Sequence, residues 1–73
     1  MFRFEMTSTV DPANGYPCLF IRIEDPETGA VWEMYREYDA GIEFSKLFFA
    51  EIERGETVPD AIWHLLPDDG FDD

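Results

Sequence analysis

The sequence predicts a small α+β domain: a three-stranded antiparallel β-meander with one helix packed on one face, then a short C-terminal helix and an acidic tail, in the order βββαα. Three observations predict it. Residues 2–10 and 18–25 alternate apolar and polar side chains with the period of two that a half-buried strand requires. A turn sequence at 25–30 joins the second stretch to a third that can pair with it on both faces. After Tyr38 the apolar spacing lengthens to that of an amphipathic helix.

In the first strand Phe2, Phe4, Met6 and Val10 fall on one side, and Arg3, Glu5, Thr7 and Thr9 on the other. The stretch DPANGYP follows, with Asn14-Gly15 as turn chemistry between Pro12 and Pro17. In CLFIRIED, Leu19, Ile21 and Ile23 share one face, while Phe20, Arg22 and Glu24 share the other. Pro26 and Gly29 then suit a four-residue hairpin loop in DPETGA.

Pairing Asp25 with Ala30 fixes the hairpin register. Ile23 then faces Trp32 and Ile21 faces Met34 on the apolar side. On the other side Arg22 meets Glu33 and Phe20 meets Tyr35, so that face carries an opposite-charge pair and an aromatic pair.

Asp39 is the expected N-cap of a helix that runs to a stop at Gly55, with Phe44, Leu47, Phe48 and Ile52 as its apolar stripe. A second helix is expected from Thr57, where Thr57 and Asp60 have capping-box spacing and Pro59 suits the first turn. It should carry Ile62, Trp63, Leu65 and Leu66 inward until Pro67 ends it. Residues 1–67 therefore read as one compact domain, and 68–73 as an acidic, flexible tail. Whether the second helix also covers Phe20, Val31 and Tyr35 is left open by the pattern.

Composition narrows the function classes. The chain has 73 residues, 45% hydrophobic and 16% aromatic, far from the signature of a disordered segment. Seventeen Asp and Glu against five Lys and Arg give a formal charge of −12, beyond the magnitude of about 2 to 8 that keeps a small domain soluble. Arg3, Arg22, Arg36, Lys46 and Arg54 are scattered, so neither nucleic acid nor an anionic membrane is an expected partner. A basic protein surface is the complement. The lone Cys18 forbids an internal disulfide, and the N-terminus lacks the apolar run of a signal peptide, so a cytoplasmic location is expected.

Chemistry-bearing residues are few. His64 is the only histidine and reads as the edge of a core helix; Cys18 has no partner of a redox or nucleophilic motif; the glycines are isolated rather than grouped in a phosphate loop. The tail aspartates Asp68, Asp69, Asp72 and Asp73 could offer oxygen ligands, but the spacing of a calcium loop is missing. The expectation is a non-catalytic protein without cofactor or metal.

What remains is shape and charge. Carboxylates two apart on a strand or four apart on a helix stand about 6 to 7 Å apart, close to the spacing of successive phosphates. In size, acidity and lack of catalytic groups the chain is similar to the small inhibitors that phages and mobile elements direct against nucleases, including anti-CRISPR and anti-restriction proteins. That resemblance, one of physical class, implies an inhibitor bound to the basic nucleic-acid channel of a defence complex. Expected partner-binding residues are Glu24, Glu33, Glu37, Asp39 and Glu43, the aromatics Phe20 and Tyr35, and Asp68, Asp69, Phe71 and Asp72 of the tail. The alternative is a homodimeric or adaptor module that grips its partner through the aromatic sheet face, the acids serving solubility alone.

Overall fold

The computed structural model describes residues 2–65. Three strands, β1 (Arg3–Val10), β2 (Pro17–Asp25) and β3 (Ala30–Arg36), are followed by helices α1 (Tyr38–Glu53) and α2 (Val58–Leu65). The strands form one open antiparallel sheet in the order β1-β2-β3, so the small α+β fold and its βββαα order hold.

The hairpin register is the expected one, with Asp25 opposite Ala30, Ile23 opposite Trp32 and Ile21 opposite Met34. β1 pairs with β2 so that Phe4 meets Ile23 and Met6 meets Ile21. At the hairpin tip the buried Asp25 accepts hydrogen bonds from the Glu27 N–H (3.1 Å) and the Thr28 hydroxyl (3.2 Å), and its carbonyl accepts one from the Gly29 N–H (2.7 Å). Gly29 takes φ of +78°, a conformation that a residue bearing Cβ resists.

Both helices lie on the same side of the sheet. Ile21, Ile23, Phe44, Phe48, Ala61 and Ile62 form the buried core, with Phe2, Phe4, Trp32, Met34, Ile52, Val58 and Leu65 packed around it. Phe48 is at its centre, 5.3 Å from the Phe2 ring edge-on and 5.5 Å from the Phe4 ring in a stack.

Four expectations need correction. The N-cap of α1 is Glu37, not Asp39: the Gly41 N–H donates to the Glu37 carbonyl at 2.7 Å, which draws Tyr38 into the first turn and leaves Asp39 as its acidic residue. Trp63 points outward and is 75% exposed, because α2 turns about 100° per residue and its buried side is already set by Ala61 and Ile62. Met6 and Val10 share the parity of Phe4 but remain exposed, although the Tyr38 hydroxyl at the start of α1 reaches the Ser8 hydroxyl between them. Leu47 is half exposed at the flank of α1, whereas Phe49, outside the expected stripe, packs on Phe2 and Phe4 with ring centres 5.8 and 5.0 Å away.

The expected contribution of Leu66 and the tail boundary at 67 lie outside the described residues. Among the described residues no helix is long and apolar enough to cross a membrane.

Candidate functional site

The sheet face opposite the helices carries the side chains that alternate with the core. Register places them in rows across the strands: Thr9 beside Cys18; Thr7, Phe20 and Tyr35; Glu5, Arg22 and Glu33; Arg3, Glu24 and Val31. No described element packs over this face, which settles the open question about α2: it packs with α1 around the core instead.

Arg22 stands at the centre of the face. Its Nε donates to Glu33 Oε2 at 3.2 Å and its Nη1 pairs with Glu24 Oε2. The Glu24 hydrogen bond, opposed by partial burial and reinforced by Glu33, raises the Arg22 pKa above its already high ordinary value. Glu24 and Glu33, two of the expected partner-binding carboxylates, therefore share one guanidinium in a local ion cluster that keeps one net negative charge. Beside it the Phe20 and Tyr35 rings meet at 5.2 Å with planes tilted by 51°. Tyr35 and Val31 are exposed and Phe20 is half buried.

Toward the end of the sheet, Tyr35 and Glu37 line a shallow groove together with Asp11, Tyr16 and Cys18. The loop after β1 shapes it. The Asp11 carboxylate accepts from the Ala13 N–H at 2.8 Å, its carbonyl from the Gly15 N–H at 2.7 Å, and Asn14 Oδ1 from the Tyr16 N–H at 2.9 Å. These bonds fix a loop that presents Tyr16 at 70% exposure. Sequence reasoning passed over Tyr16; its signal was an aromatic ring in a proline-bracketed turn, where no core position exists to receive it.

Cys18 is buried at the root of this groove. Burial, with a smaller effect from the Asp11 carboxylate, pushes its thiol pKa above the usual value. A thiol held protonated is a poor nucleophile.

The other expected carboxylates sit on a different surface. Glu37, Asp39 and Glu43 gather at the start of α1, all exposed, and Glu53 continues the outward side at its end. Acids there are favoured by the helix macrodipole at the N-terminal end. Glu5, Glu27, Glu37, Asp39, Glu43, Glu53 and Asp60 are exposed and form no ion pair among the described residues. The sheet face and the acidic helix start thus meet at Tyr35 and Glu37. Asp68, Asp69, Phe71 and Asp72 lie outside the described residues.

His64 is exposed as expected of an edge histidine, but it is engaged: its Nδ1 stands 3.2 Å from Glu51 Oε1, and Arg54 Nη2 holds Glu51 Oε2 at 2.6 Å. The His64 hydrogen bond, resisted by burial and aided by Arg54, lowers the Glu51 pKa. Comparison of the chain with protein-family models, with curated proteins and with solved structures finds no match in any of the three.

Proposed function

We propose that this protein is a small, non-catalytic binder of a basic protein surface, using its carboxylates as phosphate mimics against a nucleic-acid-binding protein. The observation that carries the reading is the placement of charge: Arg22, at the centre of the sheet, is engaged by Glu24 and Glu33, while Glu37, Asp39 and Glu43 gather at the start of α1 with no ion pair among the described residues, Arg36 being the cation beside them. Asp39 and Glu43, four apart on a helix, stand about 6 Å apart along its axis. Exposed Tyr16 and Tyr35 adjoin this acidic edge and supply the aromatic anchors that desolvated contacts favour. An inhibitor of a host defence nuclease, of the anti-CRISPR or anti-restriction type, is the setting that the resemblance in size and acidity implies.

Competition tests it. Immobilised protein should capture a basic nucleic-acid-binding target, and saturating that target with its nucleic acid should abolish capture; undiminished capture sinks the mimic reading. The uncovered aromatic face favours a second reading, an adaptor or homodimer held by Phe20, Val31 and Tyr35. Salt separates the two. Charge pairing weakens on the order of tenfold or more between low and high ionic strength, whereas apolar contact holds or tightens.

A further inference from the structure

The end of α1 has an unusual chemistry for its geometry. Gly55 takes φ of +99°, its N–H donates to the Ile52 carbonyl at 3.0 Å, and the Glu56 N–H donates to the Glu51 carbonyl at 3.1 Å. This is the Schellman closure of a helix, which brings the side chain after the glycine against the one four residues before it. That contact is ordinarily apolar. Here it joins two carboxylates, Glu51 and Glu56, and the only histidine of the chain reaches the same point from the last turn of α2.

We propose that Glu51, Glu56 and His64 form a divalent-cation site of the zinc class that ties α2 and the connecting loop to the end of α1. One ligand atom from each residue lies within 4.8 Å of the other two. Two ligands about 2.1 Å from a common tetrahedral zinc stand about 3.4 Å apart. The observed 3.2 Å between His64 Nδ1 and Glu51 Oε1 is close to that spacing. A rotation of the half-buried Glu56 side chain brings the third ligand in, and a water completes the tetrahedron.

Three features favour a dication over a hydrogen-bonded pair alone. Imidazole with two carboxylates is a borderline donor set that suits zinc, and imidazole is foreign to magnesium and calcium sites, which take oxygen. Arg54 holds the second oxygen of Glu51 at 2.6 Å, which orients the first toward His64. The site also lies at the negative end of the α1 dipole, and the groove beyond Glu56 is lined by Asp25 and Glu27 of the hairpin tip. The inference stands independently of the proposed function.

The test is calorimetric titration of the chelator-stripped full-length protein with zinc chloride, with thermal melts in parallel. One zinc per chain is expected, with a raised Tm. Glu56→Gln and His64→Ala should each weaken binding at least tenfold and lose the Tm increase. Both residues lie outside the core, and circular dichroism of the stripped variants checks that the fold is kept. Absence of binding, binding undiminished in both variants, or an equal Tm increase with calcium or magnesium would overturn the proposal, the last by showing diffuse attraction to an acidic surface.

Discussion

Gly41 offers a sharp test of how α1 is seated. A methyl group added there would lie 2.8 Å from Leu19 Cδ1, 3.4 Å from Leu19 Cβ and 3.5 Å from Arg36 Cβ. Two effects then oppose. Alanine in place of glycine in a helix interior is favourable by about 1 kcal/mol. The first contact is roughly 1 Å inside an ordinary carbon–carbon separation, and Leu19 is buried, so its side chain cannot swing into water. Overpacking of this kind costs about 1 to 3 kcal/mol. The clash wins, and Gly41→Ala should destabilise by about 1 kcal/mol, which for a domain of this size lowers Tm by about 4 to 8 °C. In a Leu19→Ala background the offending Cδ1 is gone and the remaining contacts are tolerable. There the same substitution should stabilise by about 1 kcal/mol, so the cycle should show a coupling of about 2 kcal/mol. Urea melts of the four proteins measure it. A Gly41→Ala that stabilises the parent, or one that costs the same in both backgrounds, would refute the close approach of α1 to β2.

The other expectations concern charge, the thiol, the hairpin and the binding face. Raising sodium chloride from about 0.05 to about 0.5 M should increase Tm, because the net charge of −12 repels itself and screening relieves it; a Tm insensitive to salt would mean the acids are compensated. Burial raises the Cys18 pKa, so its stabilising effect is complete below the unfolded thiol value near about 8.5 and is lost as pH rises through the higher folded value. Stability should therefore fall more between about pH 8 and 10 in the parent than in Cys18→Ala, and a disulfide reagent should label the native thiol slowly. Asp25→Ala removes two acceptors at the hairpin tip and should cost about 1 to 2 kcal/mol by urea melt. Against a basic target, Asp39→Asn with Glu43→Gln should slow association and flatten its salt dependence, while Tyr35→Ala should chiefly speed dissociation; the reverse pattern would assign the binding energy wrongly.

The hairpin was legible because two independent constraints agreed. A one-residue slip would have placed Ile21 and Ile23 in water and parted both Arg22 from Glu33 and Phe20 from Tyr35, so only one register satisfied both faces. Burial along a helix was read less well, since an apolar run such as Ile62-Trp63 cannot all face one way and composition alone does not say which residue yields. β1 shows a different limit. Its alternation gave the correct side for Met6 and Val10, but the side is covered only where a helix passes, and that depends on the path of α1 over the sheet. The Glu51, Glu56 and His64 cluster was missed because it forms only when the chain reverses at Gly55 and α2 returns along α1. Its one local signal was a glycine stop at Gly55 with Glu51 four residues before it and Glu56 directly after.

Charge placement follows from the same geometry. With both helices on one side, the opposite face is left largely to polar and aromatic side chains, and its central row of Glu5, Arg22 and Glu33 sets one cation against two carboxylates. Apart from Glu5, the exposed carboxylates without an ion pair among the described residues lie on the helices, at the end of the sheet and in the hairpin turn, where no core position competes for the site. Glu37 stands at such an edge, and the groove lined by Tyr16 and Tyr35 opens beside it, with Arg36 in the same lining. On the proposed reading, a basic partner steered by the start of α1 would arrive beside the exposed rings, so that long-range attraction and short-range apolar contact would act in sequence on one surface.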